Sequence, residues 1–221
     1  MKKTKQAIIF GTGSFAEVVH YFLTNDSDYE VVAFTVSKAQ ITNSEFMGLP
    51  LLAFEDIETE FSPKEYEMYI AVGYNKMNAV RERFYNEAKE KRYTLLSYVS
   101  SYATVFTDKI GDNCFVCEDN TIQPFVELGN NVVLWSGNHI GHHSKIEDHV
   151  WICSHAVISG HCRIKNNTFI GVNATLRDSI TLGSKTLVGA AALIMKNTKE
   201  KEVYITERTK PFKKNCDEIG F

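Results

Sequence analysis

A six-residue period decides what most of this chain can fold into. Steps of six from Ile110 land on Val116, Ile122, Leu128, Leu134, Ile140, Ile146, Ile152, Ile158, Ile164, Ile170, Leu176, Leu182, Val188 and Ile194. All fifteen positions are Ile, Leu or Val, with no slip in phase. The position four residues further on is restricted in size, as at Cys114, Asn120, Ser144, Ala156, Thr168, Ala174 and Ala192, with Ile180 the one large residue. An α-helix repeats every 3.6 residues, so this period excludes one. It predicts short strands joined by tight turns, each hexapeptide forming one flat side of a prism. Three sides close a coil of eighteen residues, and fifteen hexapeptides make five coils. Successive coils then stack at the spacing of paired strands, about 4.8 Å.

Residues 1–99 follow a different rule. Gln6 to Phe10 is an apolar run that ends in Gly11-Thr12-Gly13-Ser14 and is followed by a helical stretch from about Phe15 to Leu23. Glu30 to Val36 and Tyr66 to Val72 read as further strands, Met77 to Lys91 as a charged amphipathic helix, and Leu95 to Val99 leads into the prism. Strands alternating with helices predict a parallel sheet covered on both faces, a truncated Rossmann-like α/β domain. Gly11-x-Gly13 between a strand and a helix N-terminus suits an anion, because backbone N–H groups and the helix dipole point at it. A dinucleotide site would want an acid after the second strand to hold the ribose. Here Thr35, Val36, Ser37 and Lys38 stand there, which argues against a redox cofactor.

A formal charge of −3 and a pI near 6.2 leave no electrostatic footprint for nucleic acid or an anionic membrane. The N-terminal MKKTKQAIIFGTG breaks at glycine too early for a signal peptide, and no stretch reaches membrane-spanning length. Five cysteines, an odd number, suit reduced thiols and a cytoplasmic location. Cys114 and Cys117 form a C-x-x-C without a second pair, so a structural role is the expectation. Residues 199–221 form a C-terminal tail with a basic stretch in which Arg208, Lys210, Lys213 and Lys214 could meet phosphates or simply be solvated.

The repeat over residues 100–198 resembles the left-handed β-helix of the hexapeptide acyltransferases; its left hand comes from that resemblance, since ordinary crossover rules favour the right. With the N-terminal domain included, the chain resembles the sialic-acid O-acetyltransferase and nucleotide-amino-sugar N-acetyltransferase family, including bacillosamine-pathway enzymes. The resemblance implies acetyl-CoA-dependent N-acetylation of a UDP- or dTDP-linked amino sugar for surface-glycan synthesis. It also implies a homotrimer with active sites between prisms. It assigns Gly11, Gly13, Ser14 and Thr35 to the nucleotide, with Gly73 and Asn75 of a second loop that runs on to Asn78 and Arg81. The family often carries a Gly-Gly-His-like turn where this chain has Gly13-Ser14-Phe15, and an acid near Thr35.

Six of the seven histidines lie between residues 139 and 161. His149, His155 and His161 are six apart and so fall on different sides of the prism, where they cannot converge on one metal; no metal is expected. His143 and His161, eighteen apart, should stack on adjacent coils. Acyl transfer to an amine needs a base that titrates near neutrality, which histidine supplies. In Ile140-Gly141-His142-His143-Ser144, His142 stands where the resembling family has its catalytic histidine, and His143 replaces the usual acid. Glu147, Asp148 or no carboxylate at all could then orient the base. Gly160, one coil on, could offer its N–H to the thioester carbonyl, and Ala190 matches a further amide contact to CoA. Asn138, His139 and Trp151 are candidates to line the sugar pocket, although Trp135 and Trp151 could equally pack between copies. Two other readings stay open: O-acetylation of a free sugar such as sialic acid, and a non-catalytic trimeric binding module.

Overall fold

The computed structural model describes residues 2–220. In the N-terminal domain β1 (Lys5–Phe10), α1 (Ser14–Asn25), β2 (Tyr29–Val36), β3 (Glu45–Phe46), β4 (Leu49–Ala53), β5 (Glu67–Ile70) and α2 (Ala79–Glu90) follow in chain order. The sheet runs β3-β4-β2-β1-β5 and is parallel except for the β3–β4 hairpin. Alternate residues of β1 face opposite sides, so Ala7 and Ile9 meet Ala16, Val19 and Leu23 of α1. Ile8 and Phe10 meet Phe84, Tyr85 and Ala88 of α2. The chain leaves β1 toward β2 on one side and returns to pair β5 on the other. A switch point therefore lies between β1 and β5, at the carboxyl ends where ligands bind in such sheets.

The six-residue period becomes a left-handed parallel β-helix with three faces. Face one carries the strands at Tyr98–Val99, Phe115–Val116, Val133–Leu134, Trp151–Ile152, Phe169–Ile170, Leu187–Val188 and Val203–Tyr204. Face two carries Thr104–Val105, Thr121–Ile122, His139–Ile140, Val157–Ile158, Thr175–Leu176 and Leu193–Ile194. Face three carries Glu127–Leu128, Lys145–Ile146, Arg163–Ile164 and Thr181–Leu182. Val133 pairs with Phe115 and Trp151, eighteen residues before and after it, and the inner strands of each face repeat that register, which shortens by one or two residues at the ends of faces one and two. The aliphatic positions and their small companions, Cys114, Ala156, Cys162 and Ala174 among them, fill one continuous axis; Ile180 is also inside. The pairing begins at Tyr98, two residues before 100, and runs through Val203–Tyr204, past 198. Beyond it the tail is exposed, and Cys216–Ile219 forms a short helix, α3, closed by an Asn215–Glu218 capping box.

The turns obey a second periodic rule. The third residue after each aliphatic position from Ile110 to Val188 takes a positive φ, from Asn113 (51°) and Asp119 (58°) through Asn131, His143, His149, His155, His161, Asn167 and Asn173 to Ala191. Asn, Asp and His are the residues that tolerate this left-handed conformation best apart from glycine. Four of the clustered histidines therefore take the left-handed turn position, whereas His142, the residue before it in the same turn, and His139 on a strand do not.

The N-terminal domain sits on face one. Phe115, Cys117, Val133 and Trp151 point out of that face into one apolar cluster with Ala7, Ile9, Ala16, Val19, Leu23 and Tyr69. Phe15 packs edge-on against Phe115 (5.5 Å) and Trp151 (5.2 Å), geometries worth about 0.5–1.5 kcal/mol each beyond burial. Polar anchors ring this cluster. Ile70 N–H donates to Asn113 Oδ1 (2.8 Å), Lys89 pairs with Asp112 (2.6 Å), and Asn167 Nδ2 donates to Glu82 (2.8 Å). The corner between faces two and three is the part of the prism farthest from this interface.

Candidate active site

That far corner holds His142. Its backbone N–H donates to Gln123 Oε1 (2.9 Å), and its carbonyl accepts from His161 N–H one coil on (2.9 Å). Both bonds fix the corner between successive coils. The ring lies over Gly160: a Cβ added there would sit 2.9 Å from His142 Cε1 and 3.0 Å from Nε2. Glycine leaves room for the imidazole in this position, which any side chain would displace. His142 Nδ1 faces His143 Nδ1 at 3.1 Å, so a neighbouring imidazole, and no carboxylate, orients the ring. Glu147 instead binds Arg163 (2.6 Å) and Asp148 accepts from Asn130 N–H (2.7 Å), so neither candidate acid serves His142. His143 in turn stacks on His161, as their spacing predicts, with ring centres 4.8 Å apart and planes at 15°. Gln123 is a positioning residue that the motifs did not mark; its signal is its place one coil below the His142 turn.

The Gly160 N–H donates to none of the described residues, and neither does that of Ala190. Ala190, however, follows a face-one strand and lies at the corner between faces one and two. Within one chain it is across face two from His142 and Gly160. His139 projects half-buried from face two between Thr121 and Val157.

Asn138 does not belong to a pocket. It is buried, with Oδ1 accepting from Ala156 N–H (2.8 Å) and Nδ2 donating to the Trp135 carbonyl, and so it holds a turn inside the prism. Trp151 lines no sugar pocket either. Trp151 is buried against Phe15, Tyr74 (5.3 Å) and Trp135 (6.1 Å), and both tryptophans pack on Phe15 of the chain's own N-terminal domain. Cys114 and Cys117 are buried and unpaired, their thiols pushed up to about 12 by burial.

At the β1/β5 switch point, Gly11-Thr12-Gly13-Ser14 and Gly73-Tyr74-Asn75 come side by side. Gly13, Ser14 and Asn75 are exposed, and the Ser14 and Phe15 N–H groups at the start of α1 donate to none of the described residues. Gly11 has a shaping role only: its N–H is bonded to the Thr35 carbonyl (2.8 Å), its φ is 125°, and a Cβ would meet Ala71 O at 2.6 Å. Thr35 is buried with its hydroxyl donating to Leu52 O (3.0 Å), which removes it from the ligand-facing set. Asn78 and Arg81 are removed as well. Both are fully buried at the domain interface, where Asn78 Nδ2 reaches Thr168 O (3.3 Å) and Arg81 Nη2 reaches His149 O (3.1 Å). Arg81 lies over the Trp151 ring, and burial lowers its guanidinium to about 10.

Comparison with known proteins agrees with this two-part build. Residues 6–88 match the PglD N-terminal domain family, and residues 143–178 match the bacterial transferase hexapeptide family (six repeats). No curated protein matches the sequence closely enough to count as a relative. Among solved structures, the acetyltransferase domain of PglB from Neisseria gonorrhoeae is 24% identical, with a TM-score of 0.80 over 90% of this chain and 96% of that one. A histidine-to-asparagine mutant of perosamine N-acetyltransferase from Caulobacter crescentus, in complex with CoA and GDP-perosamine, is 18% identical, with a TM-score of 0.79 over 90% and 92%. WeeI from Acinetobacter baumannii is 18% identical, with a TM-score of 0.69 over 90% and 96%. Among the described residues no helix is long and apolar enough to cross a membrane. The chain thus carries a match to the PglD N-terminal domain family, followed by a match to the bacterial transferase hexapeptide family, and has the fold of these solved structures.

Proposed function

We propose that this protein is an acetyl-CoA-dependent N-acetyltransferase acting on a nucleotide-linked amino sugar, with His142 as general base, in the synthesis of a surface glycan. The observation that carries this reading is the exposed His142 imidazole overhanging the bare, undonated amide of Gly160. A neutral imidazole has one lone pair. The tautomer that donates Nδ1–H to His143 leaves that lone pair on Nε2, the atom nearest Gly160 together with Cε1. The sugar amine attacks the thioester carbonyl carbon while Nε2 takes its proton. The developing oxyanion accepts from Gly160 N–H. Collapse of the tetrahedral intermediate expels the CoA thiolate, which takes the proton back from His142.

The nucleotide diphosphate is assigned to the β1/β5 crevice, where the free N–H groups at the start of α1 favour an anion. Free-sugar O-acetylation would leave this crevice without a role. The crevice belongs to the domain docked on face one, and His142 stands at the corner opposite that face. One chain therefore cannot bring its own sugar to its own base, which supports a homotrimer in which neighbouring copies complete each site. Exposed Phe106, Phe125, Val157, Leu193 and Met195 along face two and its far corner give such copies an apolar surface to share. The perosamine enzyme's complex contains a GDP-sugar. The testing experiment is accordingly a thiol-release assay with acetyl-CoA across UDP-, dTDP- and GDP-linked amino sugars, with the product bond located by NMR. An amide product from one nucleotide sugar is expected. Release with free sugars only, giving an ester, would overturn the reading.

A further inference from the structure

Three imidazoles crowd the corner at which His142 stands. His142, His143 and His161 are all exposed, and one ring nitrogen from each lies within 4.8 Å of the others. The rings of His143 and His161 are stacked, whereas His142 stands at 90° to the first and 89° to the second, with centres 5.3 and 5.0 Å away. Phe125 backs His143 at 4.6 Å. The spacing of adjacent coils holds His143 and His161 in register, because both are left-handed corner residues with φ of 58° and 59°.

Two imidazole nitrogens 3.1 Å apart share one proton, and a cation can take its place. Around zinc, with Zn–N near 2.0–2.1 Å, tetrahedral neighbours are separated by roughly 3.3 Å. The Nδ1–Nδ1 edge is already close to that, and rotation of an exposed ring brings in the third nitrogen. Three neutral nitrogens without a carboxylate or thiolate suit zinc, cobalt, nickel or copper rather than magnesium or calcium. Three protein ligands also leave an open position for water.

We propose that His142, His143 and His161 form a tri-imidazole site for a zinc-class divalent cation, and that occupancy switches transfer off. Whichever nitrogen of His142 binds the ion, its one lone pair is committed and the other nitrogen carries a proton, so the ring can no longer act as a base. The switch rests on the general-base role proposed above; the binding does not.

The test uses untagged full-length protein stripped with chelator. Cobalt titration, read by visible absorption, should show one tetrahedral ion per chain. His161→Asn should weaken cobalt binding by at least about tenfold. Asparagine already occupies the same left-handed corner at Asn113, Asn131, Asn167 and Asn173, so that variant should keep the fold, and its own metal-free transfer rate is the reference for its zinc inhibition. Zinc should inhibit the wild type over the range in which it displaces cobalt, and His161→Asn should need roughly ten times more. Equal cobalt affinity in the two proteins, or no tetrahedral bands at millimolar cobalt, overturns the site while leaving the transferase reading untouched. Cobalt binding as expected, with zinc leaving an active enzyme uninhibited, overturns the switch and the base role of His142 together. Cobalt binding with no transfer to any nucleotide sugar in metal-free buffer overturns the transferase reading and upholds the site.

Discussion

The prism and the N-terminal domain answer the problem of burying a core in opposite ways. In the prism every strand is two residues long, and away from the ends its partners lie eighteen residues before and after it. Each hexapeptide therefore repeats one solution, and a residue with another task departs visibly from the pattern. In the N-terminal domain β1 pairs with β2 and β5 from quite different distances along the chain, and no position repeats another. There Gly, Asn, Thr and Arg serve packing and ligands alike, so a motif alone does not say which.

Removing the base gives the largest expected effect. His142→Ala should lower kcat by about 10²–10⁴ with KM little changed, since the lost interaction acts in the transition state. His143→Ala should cost less, because it removes an orienting neighbour without a fixed charge. Steady-state kinetics of the two variants separates the roles, and the reverse order would move the base to His143.

How far each region was legible follows from the same contrast. The axis from Ile110 to Ile194, the small inward positions and the placing of Gly160 beside His142 follow from counting in sixes and eighteens. The orientation of His142 by His143 was harder to see, because sequence does not report which way a corner side chain turns. Four errors share one cause. Thr35, Asn138, Asn78 and Arg81 are polar residues in functional-looking segments, yet each is buried and bonded to a backbone carbonyl or amide. Trp151 misled in the same way, because its side chain faces the chain's own N-terminal domain. Strand β4 carries Pro50 and lies at the sheet margin beside β3, so its run shows no clear alternation.

Core truncation sharpens the contrast in stability. Ile146→Ala should cost about 2–5 kcal/mol, and hydrogen exchange should rise mainly in the coils next to it, as nearest-neighbour coupling requires. Uniform loosening of both domains would show that the prism is not the one-dimensional stack described.

The two crevice glycines should separate shape from binding. Gly11→Ala meets Ala71 O at a backbone angle that L residues rarely adopt, and should cost about 1–3 kcal/mol of stability. Gly13→Asp has open space around its Cβ and makes a favourable helix cap, so denaturant unfolding should change little. Its carboxylate should nevertheless repel a nucleotide diphosphate, which calorimetry reads as lost binding.

The smallest effect concerns a corner residue. His149 continues a ladder in which Asn113 donates to Asn131 (2.8 Å) and Asn131 meets His149 Nδ1 (2.9 Å), and burial lowers the affinity of its ring for a proton despite Glu82 nearby. The folded-state pKa lies below the unfolded value of 6.5, so the unfolded chain binds the extra proton first. Stability is then full above that pH and falls as pH drops through it. His149→Asn should flatten the dependence of Tm between pH 7 and pH 5, and an unchanged profile would assign the dependence to other groups.

The central claim is that a crevice on one copy serves the base of another, and complementation tests it most directly. His142→Ala and Gly13→Asp should each be inactive alone. Co-expressed and verified as mixed oligomers by mass spectrometry, they pair an intact crevice with an intact histidine at about a quarter of sites if assembly is random. The account predicts recovered amide formation near that fraction. Mixed oligomers that stay as inactive as either parent would contradict it.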